Sequence, residues 1–159
     1  MAVKRPIVIK LGGHLGNLDS GDVISGALGE VVIPRVNDNA GSITMGQPVW
    51  MDTLGGGVDL TKADSLLTSY CFGVVGDASI ATTATGNIVH RGVVTLADWT
   101  AITGSESLTN GETYFVDPAN AGKLVTAAPS TTGEFIMLVG RAISATELLV
   151  EPSGTPIGV

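Results

Sequence analysis

Two segments of this chain repeat one another. Residues 44–52 read Thr-Met-Gly-Gln-Pro-Val-Trp-Met-Asp, and residues 109–117, at an offset of 65, read Thr-Asn-Gly-Glu-Thr-Tyr-Phe-Val-Asp. The likeness continues from Gly57-Val58-Asp59-Leu60-Thr61-Lys62-Ala63 to Gly122-Lys123-Leu124-Val125-Thr126-Ala127. It runs on, at an offset of 64, from Cys71–Ala78 to Phe135–Ala142. Stacked repeat arrays need about three or more copies. Two copies therefore predict one β unit used twice within a single domain, over approximately 44–80 and 109–144. Each copy reads as a Gly-polar turn, then a strand ending at Asp52 or Asp117, then a glycine loop with a second short strand. A long apolar strand follows and leaves the sheet at Val75-Gly76 or Val139-Gly140, where glycine suits a bulge or sharp exit.

At 159 residues the chain has the size of one domain with a real core. Only 14% of it is charged, against about a quarter in ordinary domains. Disordered chains are rich in charge, so this composition predicts an ordered protein that hides surface in an assembly. The formal net charge of −7 opposes direct nucleic-acid binding, which needs a basic stripe to displace counterions. No apolar run reaches the roughly 18 residues of a membrane span, and Ile7-Val8-Ile9 is too short for a secretory leader. We expect synthesis in a cytoplasm. The single cysteine, Cys71, excludes an intrachain disulfide framework.

Along the chain, residues 1–25 read as an extended arm: an extended Pro6–Leu11 stretch, then Gly12, Gly13, Gly16 and a polar run to Asp22. Residues 26–159 read as a single β domain. Val31–Val36 is a β-branched run, Asn37–Gly41 a turn, Gln47–Met51 a strand in which Pro48 suggests an edge, and Tyr70–Val75 a buried strand. Ile88–His90 and Val93–Leu96 read as two strands or one broken at Gly92, and Ala97–Ile102 as one helical turn. Further strands are expected at 112–116, 123–126, 134–139 and 147–150. Turn residues recur about every 8–12 positions, the spacing of a sandwich or barrel. The expected fold is mainly β: a compact antiparallel β-sandwich or barrel with an internally duplicated unit.

Candidate chemistry is sparse. Ile7-Val8-Ile9-Lys10-Leu11-Gly12-Gly13-His14 resembles the phosphate-binding start of the amino-acid kinase family, where backbone N–H groups and a lysine cradle phosphate. That fold needs strand–helix alternation which the rest of this chain lacks. His14 and His90 have no ligand cluster around them in sequence, and Asn37-Asp38-Asn39 lacks the spacing of a calcium loop. Cys71 beside Phe72 reads as a buried inert thiol. Trp50 aligns with Phe115, which predicts core packing. Trp99 reads as a lid over a barrel end or an intersubunit contact. We expect no catalytic residues, no cofactor and no metal.

Two stretches resemble bacteriophage virion proteins. One runs from Leu108-Thr109-Asn110-Gly111-Glu112-Thr113-Tyr114-Phe115-Val116-Asp117 through Gly122-Lys123-Leu124 and Ala128–Gly133 to Val139–Leu148. The other is the start, Lys4–Ile9 followed by Asn17–Asp22. They are similar to the small β modules of capsid decoration (cement) proteins, head fibres and tail fibres. The resemblance implies a β-rich fold, frequent trimers and no catalysis. Its implied partners are the major capsid protein and further copies of the chain, with neither nucleic acid nor membrane contacted, and its implied location is the virion surface. The residues expected to make capsid or intersubunit contact are Ile7, Val8, Ile9 and Leu11 on the arm, together with Trp99, because an extended arm can add a strand to a neighbour's sheet edge.

Overall fold

The computed structural model describes residues 29–52 and 55–159, together with the backbone of 9–11 and 14–16. In chain order the strands are β1 (Ile9–Leu11), β2 (His14–Gly16), β3 (Val31–Val36), β4 (Ile43–Thr44), β5 (Pro48–Met51), β6 (Val58–Leu60), β7 (Gly73–Val75) and β8 (Ser79–Ile80). There follow β9 (Thr85–Thr95), β10 (Thr113–Val116), β11 (Leu124–Val125), β12 (Phe135–Ile136), β13 (Leu138–Ala142), β14 (Glu147–Val150) and β15 (Ile157–Gly158). Two single-turn helices, α1 (Leu66–Ser69) and α2 (Thr100–Thr103), lie in loops. The second is the helical turn expected before Gly104. The first was not foreseen; Ser65 caps it by accepting from Thr68 N.

The fold is mainly β, and all strand pairs are antiparallel. A nine-stranded sheet runs β11-β10-β13-β14-β9-β7-β5-β6, with β3 also paired to β9. It curls into a half-barrel. The two ends of the sheet are tied by Gly122 N donating to Thr61 O at 2.8 Å and Ala63 N donating to Asp117 O at 3.1 Å.

The order reads as two four-stranded runs meeting at β14 and β9, and the two halves make matching pairings apart from a register shift at Tyr114/Phe115 in the second and one at Val31/Val32 in the first. In the first, Trp50 faces Asp59 and Met51 faces Val58; in the second, Phe115 faces Val125 and Val116 faces Leu124. Pro48 and Val49 face Val74 and Gly73, as Thr113 and Tyr114 face Arg141 and Gly140. Val74 and Val75 face Val89 and Ile88, as Arg141 and Ala142 face Leu149 and Leu148. The outermost pairs also agree, since Val32 and Ile33 face Val89 and Ile88 just as Val93 and Val94 face Leu149 and Leu148. The turn into each unit is the same: Gln47 N donates to Thr44 O, and Glu112 N to Thr109 O. Gly46 (φ 91°) and Gly111 (φ 83°) supply the left-handed backbone that turn requires.

These pairings correct the alignment read from sequence in two places. The second strand is displaced by one residue, since Asp52 N donates to Gly57 O whereas Asp117 N donates to Lys123 O. The third strand is displaced by three: Gly73 corresponds to Gly140, and not Gly76 to Gly140. Gly140 lies inside β13, next to a register shift, rather than at a strand exit. The buried strand expected over Tyr70–Val75 is only Gly73–Val75, and Tyr70 is exposed. Pro48 is not on an edge; β5 has neighbours on both sides, and Pro48 is tolerated there as the first residue of the strand.

Strand β9 is one strand, shared by both halves. Val89 and Val94 belong to the same core, although a regular strand would put residues five apart on opposite faces. The odd residue is absorbed where the ladder to β3 shifts, Val31 facing Arg91 and Val32 facing Val89. Gly92 follows at φ 141°. This bulge turns the sheet over between its halves.

Two cores result. The larger holds Trp99, Ile102, Tyr114, Val116, Leu124, Val139, Leu148 and Val150, with Val74, Val89, Cys71 and Ala63 from the first half. The smaller holds Ile43, Val49, Val58, Val75, Ile80 and Ile88. Burial of each valine, leucine or isoleucine in these cores contributes about 1.5–3 kcal/mol.

Candidate interaction surfaces

The residues singled out from sequence are scattered. Ile7 and Val8 lie outside the described residues. Ile9 and Leu11 are in β1, which pairs with β2, Ile9 opposite Gly16 and Leu11 opposite His14. The stretch read as a simple extended arm thus contains a returning second strand. Trp99 is fully buried, and its indole Nε1 donates to Thr146 O at 3.2 Å. It is a core residue closing the larger core, so it is not available as a surface contact. Trp50 and Phe115 are half-buried rather than core. Cys71 is buried, donates to Gly73 O, and desolvation pushes its thiol up to about 12.

The turn at Asn37–Gly41 forms as expected and is a structural knot. Asn37 is fully buried; its Nδ2 donates to Gly41 O and Ile80 O, and its Oδ1 accepts from Asn39 N. Asp64 and Asp98 sit below the usual carboxylate range, the first held by Lys62 and the second by hydrogen bonds from Thr100. Both act as local ties on exposed loops. Among the described residues no group of three or more His, Cys, Asp and Glu side chains is placed to hold a metal, and no helix is long and apolar enough to cross a membrane.

Surface features that sequence reading missed lie in the first half. Among the described residues strand β3 pairs only with β9, and Val31, Val32 and Val36 are 40%, 43% and 38% exposed. Edge strands with apolar side chains are templates for further pairing, which Pro34 here restrains by withholding a donor. Beside it lies a four-residue cluster. Arg35 Nε donates to Met51 Sδ at 3.4 Å, and its guanidinium stands 5.5 Å over the Phe72 ring. The Phe72 and His90 rings are 5.1 Å apart, and His90 Nδ1 bonds the Phe72 carbonyl. All four side chains are half-exposed. An open groove of about 460 Å³, lined by Val31, His90, Arg91, Glu151 and Pro152, continues from the cluster. The exposed Arg91–Glu151 ion pair at 2.6 Å spans it, a contribution of about 0–1 kcal/mol. No local sequence signal marks this cluster, because its members come from four separate strands and loops.

The chain matches no protein-family model and no curated protein sequence.

Proposed function

We propose that this chain is a bacteriophage virion structural protein. The best-supported role is a capsid decoration (cement) protein that stabilises the head or forms the base of a head fibre. It acts as a homotrimer on the major capsid protein, at the virion surface, after synthesis in the host cytoplasm, and it carries no catalytic role. The observation that supports this most directly is a tightly hydrogen-bonded β body that keeps aliphatic side chains of the edge strand β3 on its surface. Such patches mark contact with other proteins. The resemblance of Leu108–Leu148 and Lys4–Asp22 to virion β modules points to the same class. A cement protein works through many weak contacts multiplied by lattice symmetry, where avidity replaces single-site affinity.

The test is co-sedimentation with purified phage heads. The full chain is expected to load onto heads, and a chain lacking residues 1–24 to remain folded but lose occupancy. Unchanged occupancy without the arm would sink the role assigned to it. Immunogold labelling on the tail instead of the head would favour a tail fibre or baseplate component, the other location in which such modules occur.

A further inference from the structure

The two halves of the sheet repeat their pairings but not their surroundings. In the second half, the face carrying Tyr114, Val116, Leu148 and Val150 is sealed in the larger core. The residues that reach that core from the first half include Val74 and Val89, on the opposite side of their strands from Val75 and Ile88 of the smaller core. The halves are therefore packed front to back. Among the described residues, none from the second half joins the core on the front of the first half, where Val49, Val75 and Ile88 are nonetheless fully buried. It is roofed in part by β4 and β8 through Ile43 and Ile80. Beyond that roof stand Arg35, Met51, Phe72 and His90, half-exposed. Counting along each strand from the pairings already given, those positions correspond to Leu96, Val116, Val139 and Val150, with Val139 and His90 each at a register shift. Three of these are 0% exposed and Leu96 packs against the same core. One half of the molecule thus shows this face with a unit seated on it, and the other leaves one end of it half-exposed.

We infer that the open front, Arg35, Met51, Phe72 and His90, takes the back of the second half of another copy of this chain, head to tail. The back is suited to it. Leu149, which stands where Val89 stands in the first half, is half-exposed beside Val93 at 41%, with Glu147 on the same side of β14 as a counter-charge for Arg35 and the exposed Arg141, opposite Leu149, where Val74 stands. The front has the composition of an interface centre: arginine, methionine and aromatic rings. It also stays compatible with water in the free chain, because a guanidinium and an imidazole rim the apolar atoms. Front and back are different surfaces, so the contact is heterologous and makes a ring where its rotation closes. A cyclic trimer has contacts of this kind, and the inference rests on the reading of the chain as a self-assembling structural protein.

The experiment uses the full chain and two blocked variants, Arg35→Glu on the front and Leu149→Asp on the back, each checked for fold by circular dichroism. Val93→Glu, at an exposed position, replaces Leu149→Asp if the latter misfolds. By native mass spectrometry the unmodified chain is expected to be a ring and each variant a monomer. An equimolar mixture of front-blocked and back-blocked chains is expected to give a 1:1 dimer and nothing larger, since each retains one working surface. An unmodified chain that is monomeric at every soluble concentration overturns the inference, as does a singly blocked variant that still forms the complete oligomer. A monomer that still loads onto phage heads would separate this failure from a failure of the virion role.

Discussion

Gly73 and Gly140 occupy the same place in the two halves, and each is there because a neighbouring strand leaves no room for a side chain. An ideal Cβ at Gly73 would lie 2.6 Å from Val89 O, and one at Gly140 would lie 2.1 Å from Leu149 O. Gly73→Ala and Gly140→Ala are each expected to destabilise by about 1–3 kcal/mol in urea titrations. Gly154→Ala, with nothing within 4 Å, serves as a control expected within about 0.5 kcal/mol of the parent. Cys71 makes a different residue-scale prediction. Its thiol rises from 9.0 to about 12 because burial disfavours the thiolate. The folded state then binds the proton more tightly than the unfolded chain, so the contribution is complete below pH 9 and shrinks as pH rises towards 12. The stability difference between the parent and Cys71→Ala should fall by about 1.4 kcal/mol per pH unit across that window. A pH-independent difference would contradict the burial of the thiol.

Elements here are short, so their register depends on a few fixed points. Strand β9 is the longest, and Gly92 lets it change faces: its φ of 141° is closed to most residues, and a Cβ would sit 2.8 Å from Glu30 Cγ. Gly92→Val is expected to cost about 1–3 kcal/mol and to raise hydrogen exchange where β9 meets β3 and β14. Unaltered exchange there would show that the bulge does not depend on glycine. Asn37 fixes the loop between β3 and β4 and, through Ile80 O, the small β4–β8 pair. Asn37→Ala removes the donor to the buried Ile80 O and to Gly41 O and is expected to lose about 1–3 kcal/mol, read by chemical denaturation. Asn37→Asp tests the same point, because it removes the donor while keeping the size.

At the scale of the whole molecule the two halves are one folding unit, because the larger core takes side chains from both. Unfolding is expected to be a single transition. Far-UV circular dichroism and the fluorescence of Trp99 in a Trp50→Phe variant should give superimposable curves, and two separated midpoints would show independent halves. Residues 92–159 alone are expected not to fold, since the covering side chains Val74, Val89, Cys71 and Ala63 would be gone. Self-assembly would make the midpoint depend on protein concentration.

Much was legible from residues alone. The β class follows from short β-branched runs between glycine turns, the matching turns at Gly46 and Gly111 from the repeated segment, and the buried thiol from its apolar neighbours. These are local properties, set by backbone freedom and by alternation along a strand. The register of the third strand was not legible. Valine, leucine and isoleucine match one another equally well after a shift of one or three residues, whereas hydrogen bonds to the adjacent strand admit only one pairing, Gly73 and Gly140 against their neighbours' carbonyls. Nor did the sequence distinguish Trp99, sealed in a core, from Phe72 and His90, left half-open. Which face of a strand is covered is decided by whatever packs on it, and in this chain one half covers the other while its own front is covered only in part, by β4 and β8.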